Sequence, residues 1–265
     1  MSNVFPPTLS LLCETRPEWV FEISREGGQL QFGAQLTRAG GILTRKYNLR
    51  VFLRTDRVFV TEGQSKKTLP SFCPNRHINP DGCFCVGYNA GQKIQSEETG
   101  HLWWTQLGVF LQLQETAEET RRWPHYAFMS HGNEAAQKQL EAEAAAEELG
   151  MVPEYQQAMR HDTGPLMVFL KLVQVKVGRI VNGRAACICG RTTRKGMLLQ
   201  RRNCYAMGLS CLPVLEAQRR VNEIKFWRSI MHGDQECCGT MDNCPLKGDR
   251  KLDQYVASVK RFLRL

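Results

Sequence analysis

The chain has 265 residues, of which 42% are hydrophobic and 23% are charged, a composition typical of a globular protein with one large domain or two modest ones. Its longest apolar stretch, 166–177, is interrupted by Lys171, Gln174 and Lys176, which excludes a membrane span there. Residues 1–10 carry no basic residue and no sustained apolar run, so no secretory signal is expected. We therefore predict a cytoplasmic protein without a membrane segment.

Charge and cysteine are both unevenly distributed along the chain. Residues 1–150 hold 15 Lys and Arg against 17 Asp and Glu, whereas residues 151–265 hold 20 against 9, so the whole net charge of +9 arises in the second part. Seven of the eleven cysteines also lie beyond residue 186. This asymmetry predicts two modules with different roles.

The N-terminal part begins with a pattern typical of β-strands. In the segment 29–37, Leu30, Phe32, Ala34 and Leu36 alternate with polar residues, as expected of a half-buried strand. Segments 47–54 and 57–61 repeat the alternation on either side of Thr55-Asp56, a plausible tight turn. Together they predict an antiparallel meander.

Helical patterns follow the meander. One helix is expected before Trp123-Pro124, where proline stops the pattern, and an alanine- and glutamate-rich helix over 133–149 is expected to end at Gly150 and to act as a spacer or lid. The segment 168–181 is predicted to be a strand. Two further amphipathic helices are expected near residues 214–231 and 252–263. The apolar face of the first helix comprises Leu102, Trp103, Leu107, Phe110 and Leu111.

The segment 72–89 between meander and helix is too rich in Pro, Asn, Gly and Cys for regular structure, and it contains a candidate catalytic group. Cys85 supplies a thiol, whose thiolate is the nucleophilic form. His77 can lower the thiol pKa or take its proton, and Asn79 can donate to an oxyanion. Cys83 is predicted to be a neighbour of the nucleophile.

At these residues the sequence resembles the ubiquitin-conjugating enzymes, or E2 enzymes. That family has a four-stranded meander, a His-Pro-Asn loop, an Asn-Gly-x-x-Cys segment with the acceptor cysteine, and then helices. Asp81-Gly-Cys-Phe-Cys85 is similar to the last segment, with Cys85 as acceptor. The resemblance, over about residues 18–125, implies an E2-like transferase that forms a thioester on Cys85.

The loop departs from the family pattern. In an alignment counted back from Gly82 without gaps, Asn75-Arg76 stands in place of the family's His-Pro and His77 in place of its Asn. If the loop instead has a two-residue insertion, Cys73-Pro-Asn75 is the counterpart of the His-Pro-Asn motif. The form His-x-Asn-x-x-Gly-x-x-Cys looks like divergent bacterial E2-like proteins of CBASS-type antiphage defence operons. That resemblance implies a partner with a flexible C-terminal tail, either a cGAS-like nucleotidyltransferase or a ubiquitin-like protein, and a role in antiviral defence.

The cysteine-rich tail predicts structural Zn²⁺, because zinc in proteins is held by four soft ligands that are commonly donated in pairs by tight turns. The candidate ligands form one site or, if His232 contributes, two sites, and the alternative is a core of reduced, buried thiols. The candidates are Cys187, Cys189, Cys204, Cys211, Cys237, Cys238 and Cys244.

Thirteen basic residues between Leu166 and Met231, including Arg201, Arg202, Arg219 and Arg220, predict a surface for an acidic or polyanionic partner. We thus expect an α+β fold in three parts: a UBC-like (ubiquitin-conjugating-type) domain with flanking helices over 1–130, a connector over 131–180, and a small basic, cysteine-rich, helical and zinc-binding module over 181–265.

Two alternatives to the transferase stay open at this point. The E2-like part can be catalytically inactive, in which case the chain is a zinc-stabilised adaptor for nucleic acid or an acidic protein. Cys85 and His77 can instead form the pair of a cysteine hydrolase.

Overall fold

The computed structural model describes residues 5–63, 67–88, 91–203, 211–231, 233, 235–248, 251–261 and 263. The chain divides into two units, of which unit 1 comprises residues 1–127 and 236–244 and unit 2 comprises residues 128–235 and 245–265. Cys204 and His232 lie outside the described residues. Among the residues that the structure does describe, no helix has the length and apolarity that crossing a bilayer requires.

Unit 1 is built on a four-stranded antiparallel sheet in the order β1-β2-β3-β4, which confirms the predicted meander. Residues Thr55 and Asp56 form the tight turn between β3 and β4, as predicted. The elements of unit 1 are α1 (Pro7–Glu14), β1 (Val20–Glu26), β2 (Gln29–Ala34), β3 (Tyr47–Arg54), β4 (Arg57–Glu62) and α2 (Glu97–Thr120).

The core of unit 1 lies between one face of this sheet and α2. Leu30, Phe32 and Ala34 of β2 are buried, as their alternation predicts, and they face Trp103 and Leu107 of α2 across one hydrophobic cluster. The predicted apolar face of α2 needs one correction. Leu102 is 54% exposed, because it lies outside the buried stripe of α2, which includes Gly100, Trp103 and Leu107.

Both ends of α2 are set by local sequence. The side chain of Ser96 accepts from the backbone N–H of Thr99, and Thr99 Oγ1 in turn accepts from the Ser96 N–H, which forms a capping box. At the other end, Arg121 takes a left-handed conformation with φ 55° and stops the helix before Trp123-Pro124.

Unit 2 is mainly helical, and it differs from the predicted layout in the segment 168–181. That segment contains the end of a short helix and a two-stranded ladder of two-residue strands where the sequence predicts one strand. A short apolar run is compatible with a helix or with a strand. Pro165 is favoured at the first position of a helix, and it starts a short helix here. The elements of unit 2 are α3 (Asn133–Leu149), α4 (Val152–His161), α5 (Pro165–Leu170), β5 (Val173–Gln174), β6 (Arg179–Ile180), α6 (Leu212–Met231) and α7 (Lys251–Lys260).

Helix α3 has the predicted bounds and the predicted stop at Gly150, where φ is 66°, but its expected role as a spacer or lid is wrong. Ala142, Ala145 and Ala146 are buried in the core of unit 2, and α3 packs closely on α6. Alanine has a low hydropathy signal, yet its small side chain lets two helices approach closely. In place of a separate connector over 131–180, the structure therefore has α3–α5 packed with α6.

Helix α6 carries a buried network of charges. Glu216 accepts a bidentate pair of hydrogen bonds from Arg219, at 2.6 and 2.7 Å, and another from Arg220 at 2.6 Å. Arg219 also bonds to Glu223 at 2.8 Å. Burial works against each charge, but the opposite charges dominate, so the pKa of Glu216 is lowered.

This network corrects the predicted basic surface. Arg219 and Arg220 are 2% and 4% exposed and Arg201 is 8% exposed, so of the four arginines considered for an acidic partner only Arg202 is exposed. Arg219 and Arg220 lie three and four residues after Glu216 on the same helix, so both guanidinium groups pair with that carboxylate in the interior of unit 2.

We predict that Arg219→Ala destabilises unit 2 by about 3–5 kcal/mol, because it removes the cation that bridges two buried carboxylates, Glu216 and Glu223. The exposed Arg202→Ala is the matched control and should change stability by less than about 0.5 kcal/mol. Urea unfolding with hydrogen exchange of the α6 amides measures both. Equal, small losses for the two variants would contradict a buried network.

Candidate functional site

The candidate site lies along the outer edge of β4, the edge that does not pair with β3. The backbone N–H of Phe84 donates to the carbonyl of Val60 at 2.9 Å, and Thr61 and Cys83 form a β-bridge. Farther along the strand, Val58 and Gln92 exchange backbone hydrogen bonds of 2.8 and 3.2 Å. The segment 83–92 thus pairs with the last strand of the sheet at both ends. Cys85 follows directly after the first of these pairings.

The start of the loop is anchored by the carboxylate at the end of β4. Glu62 accepts from the backbone N–H of Thr68 at 2.8 Å, from its hydroxyl at 2.7 Å and from the N–H of Leu69 at 2.8 Å. Sequence reasoning did not single out Glu62, because a charged residue at a strand end is ordinarily solvated.

Arg76 ties the loop to α2 through Gln114. Its Nε donates to Gln114 Oε1 at 2.8 Å and its guanidinium also donates to the Gln114 carbonyl at 3.1 Å, while Gln114 Nε2 donates back to the Arg76 carbonyl at 2.7 Å. Arg76 is 1% exposed and Gln114 is fully buried. The arginine that departs from the family motif therefore fixes the loop, and no local pattern in the sequence indicates this role.

The turn that carries the candidate residues runs from Cys73 to Asn79. Cys73 and Ile78 exchange two backbone hydrogen bonds of 3.0 Å around a 3₁₀ turn, and His77 has a left-handed φ of 55°. The carbonyl of His77 accepts from the N–H of Cys85 at 2.8 Å. Backbone bonding thus brings the turn and the cysteine together.

The structure places two of the three predicted catalytic side chains in contact. The Cys85 thiol donates to Asn79 Oδ1 at 3.4 Å, and Cys85 is half-buried. The His77 ring packs edge-on against Trp123, with 4.9 Å between ring centroids, and His77 is 5% exposed. Cys85 therefore has an amide neighbour, and His77 is joined to it through the backbone.

The electrostatic surroundings keep the Cys85 thiol protonated. Burial raises the pKa of Cys85 to about 11; the hydrogen bond with Asn79 opposes this rise and the charge of Asp81 adds to it. The thiolate, which is the nucleophilic form, is therefore a minor species of Cys85 at neutral pH. Cys83 is completely buried and its pKa is raised to about 12 by burial and by Asp81, as suits a neighbour of the nucleophile.

The six candidate zinc ligands that the structure describes are divided between the two units. Cys237, Cys238 and Cys244 belong to unit 1, whereas Cys187, Cys189 and Cys211 belong to unit 2. Across the described ranges of the chain, no three histidine, cysteine or acidic side chains converge as metal ligands do. Cys187 and Cys189 both lie in one tight turn, in which the Gly190 N–H donates to the Cys187 carbonyl at 3.3 Å. The described cysteines thus fit no complete zinc site.

Comparison with known families defines the class of the protein. Residues 21–125 match the family described as "Prokaryotic E2 domain", which confirms the resemblance at the level of the domain. Residues 130–246 match the family described as "Cysteine-rich domain, C-terminal to E2 domain". The chain therefore carries a prokaryotic E2 domain followed by a cysteine-rich domain. Neither the comparison with curated proteins nor that with solved structures finds a match.

We predict that alkylation of Cys85 by iodoacetamide rises steadily as the pH approaches 11, because only the thiolate reacts and the pKa is about 11. Asp81→Asn removes a charge that raises this pKa and should accelerate alkylation at pH 8, whereas Asn79→Ala removes a bond that lowers it and should slow the reaction. Peptide mass spectrometry measures the rate at Cys85. A rate that levels off below pH 9 would contradict the raised pKa.

Proposed function

We propose that this protein is an E2-type acyl transferase that forms a thioester between Cys85 and the C-terminal carboxyl group of a partner protein. The observation that carries the proposal is the contact of the Cys85 thiol with the Asn79 amide, at a loop fixed on the β4 edge of a prokaryotic E2 domain. An inactive adaptor, the alternative function, needs no amide group beside the Cys85 thiol.

The reaction is an exchange of one thioester for another. The Cys85 thiolate attacks the carbonyl carbon of the incoming thioester, and the tetrahedral intermediate collapses with loss of the donor thiolate, which takes up the proton that Cys85 released. Asn79 carries an NH₂ group beside its oxygen, and rotation of the amide directs that group to the oxyanion. An acceptor amine then displaces Cys85 in the same manner.

His77 acts as a positioning residue in this proposal. Its ring packs on Trp123 and its carbonyl holds the Cys85 N–H, so it fixes the backbone beside the nucleophile. This role favours the transferase over a hydrolase with a Cys85–His77 pair, since a hydrolase needs the imidazole as general base.

We propose that the partner ends in a flexible C-terminal tail, as a nucleotidyltransferase or a ubiquitin-like protein of bacterial antiviral defence does. The exposed cations of unit 2, which include Arg184, Arg194, Lys195 and Arg202, face an acidic region of that partner or of an acceptor.

Structural zinc in the cysteine-rich domain is a further part of the proposal, and the thiols of this domain support it. The Cys187–Gly190 turn is the element that suits one pair of ligands, and Cys204 lies outside the described residues. Zinc supplies no chemistry to the Cys85 site in this proposal, since its role is to hold the fold of unit 2.

We predict that a peptide α-thioester with a C-terminal glycine acylates Cys85, giving an adduct that a reducing thiol removes. Cys85→Ser should abolish that adduct or replace it with a slowly formed, reductant-resistant oxyester, and Cys83→Ser should retain it. Mass spectrometry of the full-length chain locates the acyl group. Equal acylation of Cys85 and of surface thiols, with no preference for Cys85, would contradict the proposal.

We further predict that Asn79→Ala slows transfer from Cys85 to an amine by roughly 10²–10³, the loss typical of one oxyanion donor, with a smaller effect on loading. Single-turnover transfer to free lysine measures this step. Gln95→Ala removes an exposed side-chain amide of unit 1 away from this turn and serves as the matched control. If both variants transfer as fast as the wild type, Asn79 has no part in the reaction.

For zinc, metal analysis of the purified chain should find about one to two equivalents, and chelation should unfold unit 2 while sparing the sheet of unit 1. Cys187→Ser should lower the zinc content. A metal-free chain whose melting is unchanged by chelator would rule zinc out.

A further inference from the structure

The segment 166–203 of unit 2 carries charge of one sign only. It contains nine Lys and Arg residues and no Asp or Glu. After α5, the segment folds into two successive hairpins, of which the first is the ladder of β5 and β6. The second hairpin spans 185–201, and near its end the Thr193 N–H donates to the Met197 carbonyl at 2.7 Å. The positive charge is therefore arranged along two hairpins and their connections.

Two of the nine cations hold the hairpins in place. The buried Arg201 donates from its guanidinium to the Val181 carbonyl at 3.0 Å, directly after the first hairpin, and from Nε to the Ala186 carbonyl at 3.2 Å, within the second. Arg191 bonds to Glu148 of α3 at 3.0 Å. These bonds fix the hairpins at their bases and leave the two turns as the exposed ends.

The turn of the second hairpin presents cations next to large apolar side chains. It is a four-residue turn, 193–196, in which the first carbonyl accepts from the last N–H at 2.9 Å. Its two central residues, Arg194 and Lys195, are exposed. Met197 and Leu198 follow directly, and they are 62% and 57% exposed. The end of this hairpin is thus basic and apolar at once.

The first hairpin repeats this arrangement. Its turn, 175–178, has Lys176 and Val177 as the central residues; both are exposed, Val177 to 60%. Each turn ends on a glycine with a positive φ, 62° at Gly178 and 75° at Gly196. A single exposed apolar residue is ordinary on any protein surface, whereas exposed apolar residues beside cations at two successive turns indicate a binding surface.

We infer that the two basic turns, 175–178 and 193–198, bind the surface of an anionic lipid bilayer. At such a surface, Lys and Arg lie at the level of the lipid phosphates, and the apolar side chains beside them enter the boundary of the acyl chains. A segment without any acidic residue suits the uniform negative charge of that surface, because no carboxylate is brought against the phosphates.

The apolar residues favour a bilayer over other polyanions. An acidic protein region engages only the cations, and a protein that covered Met197 and Leu198 as well would need a pocket shaped for both, whereas acyl chains adapt to protruding side chains. Single-stranded nucleic acid is bound by aromatic rings that stack with the bases, and neither turn contains an aromatic residue.

The inference goes beyond the acyl transfer proposed for Cys85 and does not depend on it. The acidic region proposed for a partner uses the cations of unit 2 but gives Val177, Met197 and Leu198 no role. Because a bilayer and an acidic partner would engage the same cations, binding of one should displace the other.

The test is sedimentation of the full-length chain with vesicles of phosphatidylcholine alone or of equal parts phosphatidylcholine and phosphatidylglycerol. The chain should bind the anionic vesicles in preference, and binding should weaken as salt rises. Met197→Ser with Leu198→Ser should lower the affinity at least about tenfold, because two apolar side chains no longer leave water. The matched control is Ile42→Ser with Leu43→Ser, which changes two side chains of comparable exposure in unit 1 and should bind as the wild type does.

Charge reversal tests the other half of the surface. Arg194→Glu with Lys195→Glu should also lower the affinity for anionic vesicles at least about tenfold, since each cation near a bilayer contributes to binding. Lys225→Glu with Arg228→Glu changes the net charge by the same amount on the exposed face of α6 and should have a smaller effect. Soluble polyglutamate should displace the wild-type chain from the vesicles.

Methionine oxidation locates the contact without any substitution. Anionic vesicles should protect Met197 from hydrogen peroxide and leave the exposed Met231 of α6 as reactive as before, which peptide mass spectrometry measures. The inference is overturned if the chain binds polyglutamate but not anionic vesicles, since the surface would then serve an acidic protein alone. It is also overturned if the vesicles protect both methionines equally, or if loss of Met197 and Leu198 leaves binding unchanged. Each of these results leaves the acylation of Cys85 untouched.

Discussion

The pairing of the loop with the open edge of β4 is the constraint on which the rest of the site depends. An edge strand presents unpaired N–H and C=O groups, and in unit 1 the segment 83–92 satisfies them at Val58 and Val60. Backbone bonds do not depend on side-chain identity. The position of Cys85 is therefore secured by sheet geometry, while the loop before it is held by the side chains of Glu62 and Arg76.

This constraint gives the unusual loop sequence a physical explanation. Where the E2 family has His-Pro, this chain has Asn75-Arg76, and the arginine side chain turns inward to Gln114 of α2. A buried guanidinium is tolerated only where its donors are satisfied, and carbonyl oxygens of Gln114 accept two of its hydrogen bonds. One substitution thus fixes the loop on α2.

The sequence predicts the parts of the fold that repeat over many residues. Alternation identified β2 to β4, and apolar spacing with the stop at Trp123-Pro124 identified α2, because alternation and apolar spacing follow directly from the strand and helix periods. The α3 role was mistaken because alanine carries little hydropathy, and the segment 168–181 because short apolar runs fit either helix or strand. For Arg219 and Arg220, the spacing from Glu216 was visible, but pairing inside a core depends on burial, which only the packing of α3 and α6 reveals.

The site was predictable only in its local part. Cys85 and Asn79 are six residues apart, so a loop motif could suggest their contact, whereas Cys73 and Cys238 meet across 165 residues and no local pattern links them. The composition of the tail predicted a zinc-binding module that includes Cys238, whereas in the structure residues 236–244, with Cys238, belong to unit 1.

The resting state of Cys85 limits when the proposed acyl transfer can begin. Nucleophilic attack requires the thiolate, and with a pKa of about 11 the thiol stays protonated at neutral pH. A proton acceptor must therefore remove the thiol proton once the acyl donor is bound. Asn79, the side chain that accepts a hydrogen bond from the thiol, has no basic group. The proposed transfer therefore relies on the acyl donor or the acceptor protein for that base, and burial beside an amide keeps the nucleophile unreactive until one of them is bound.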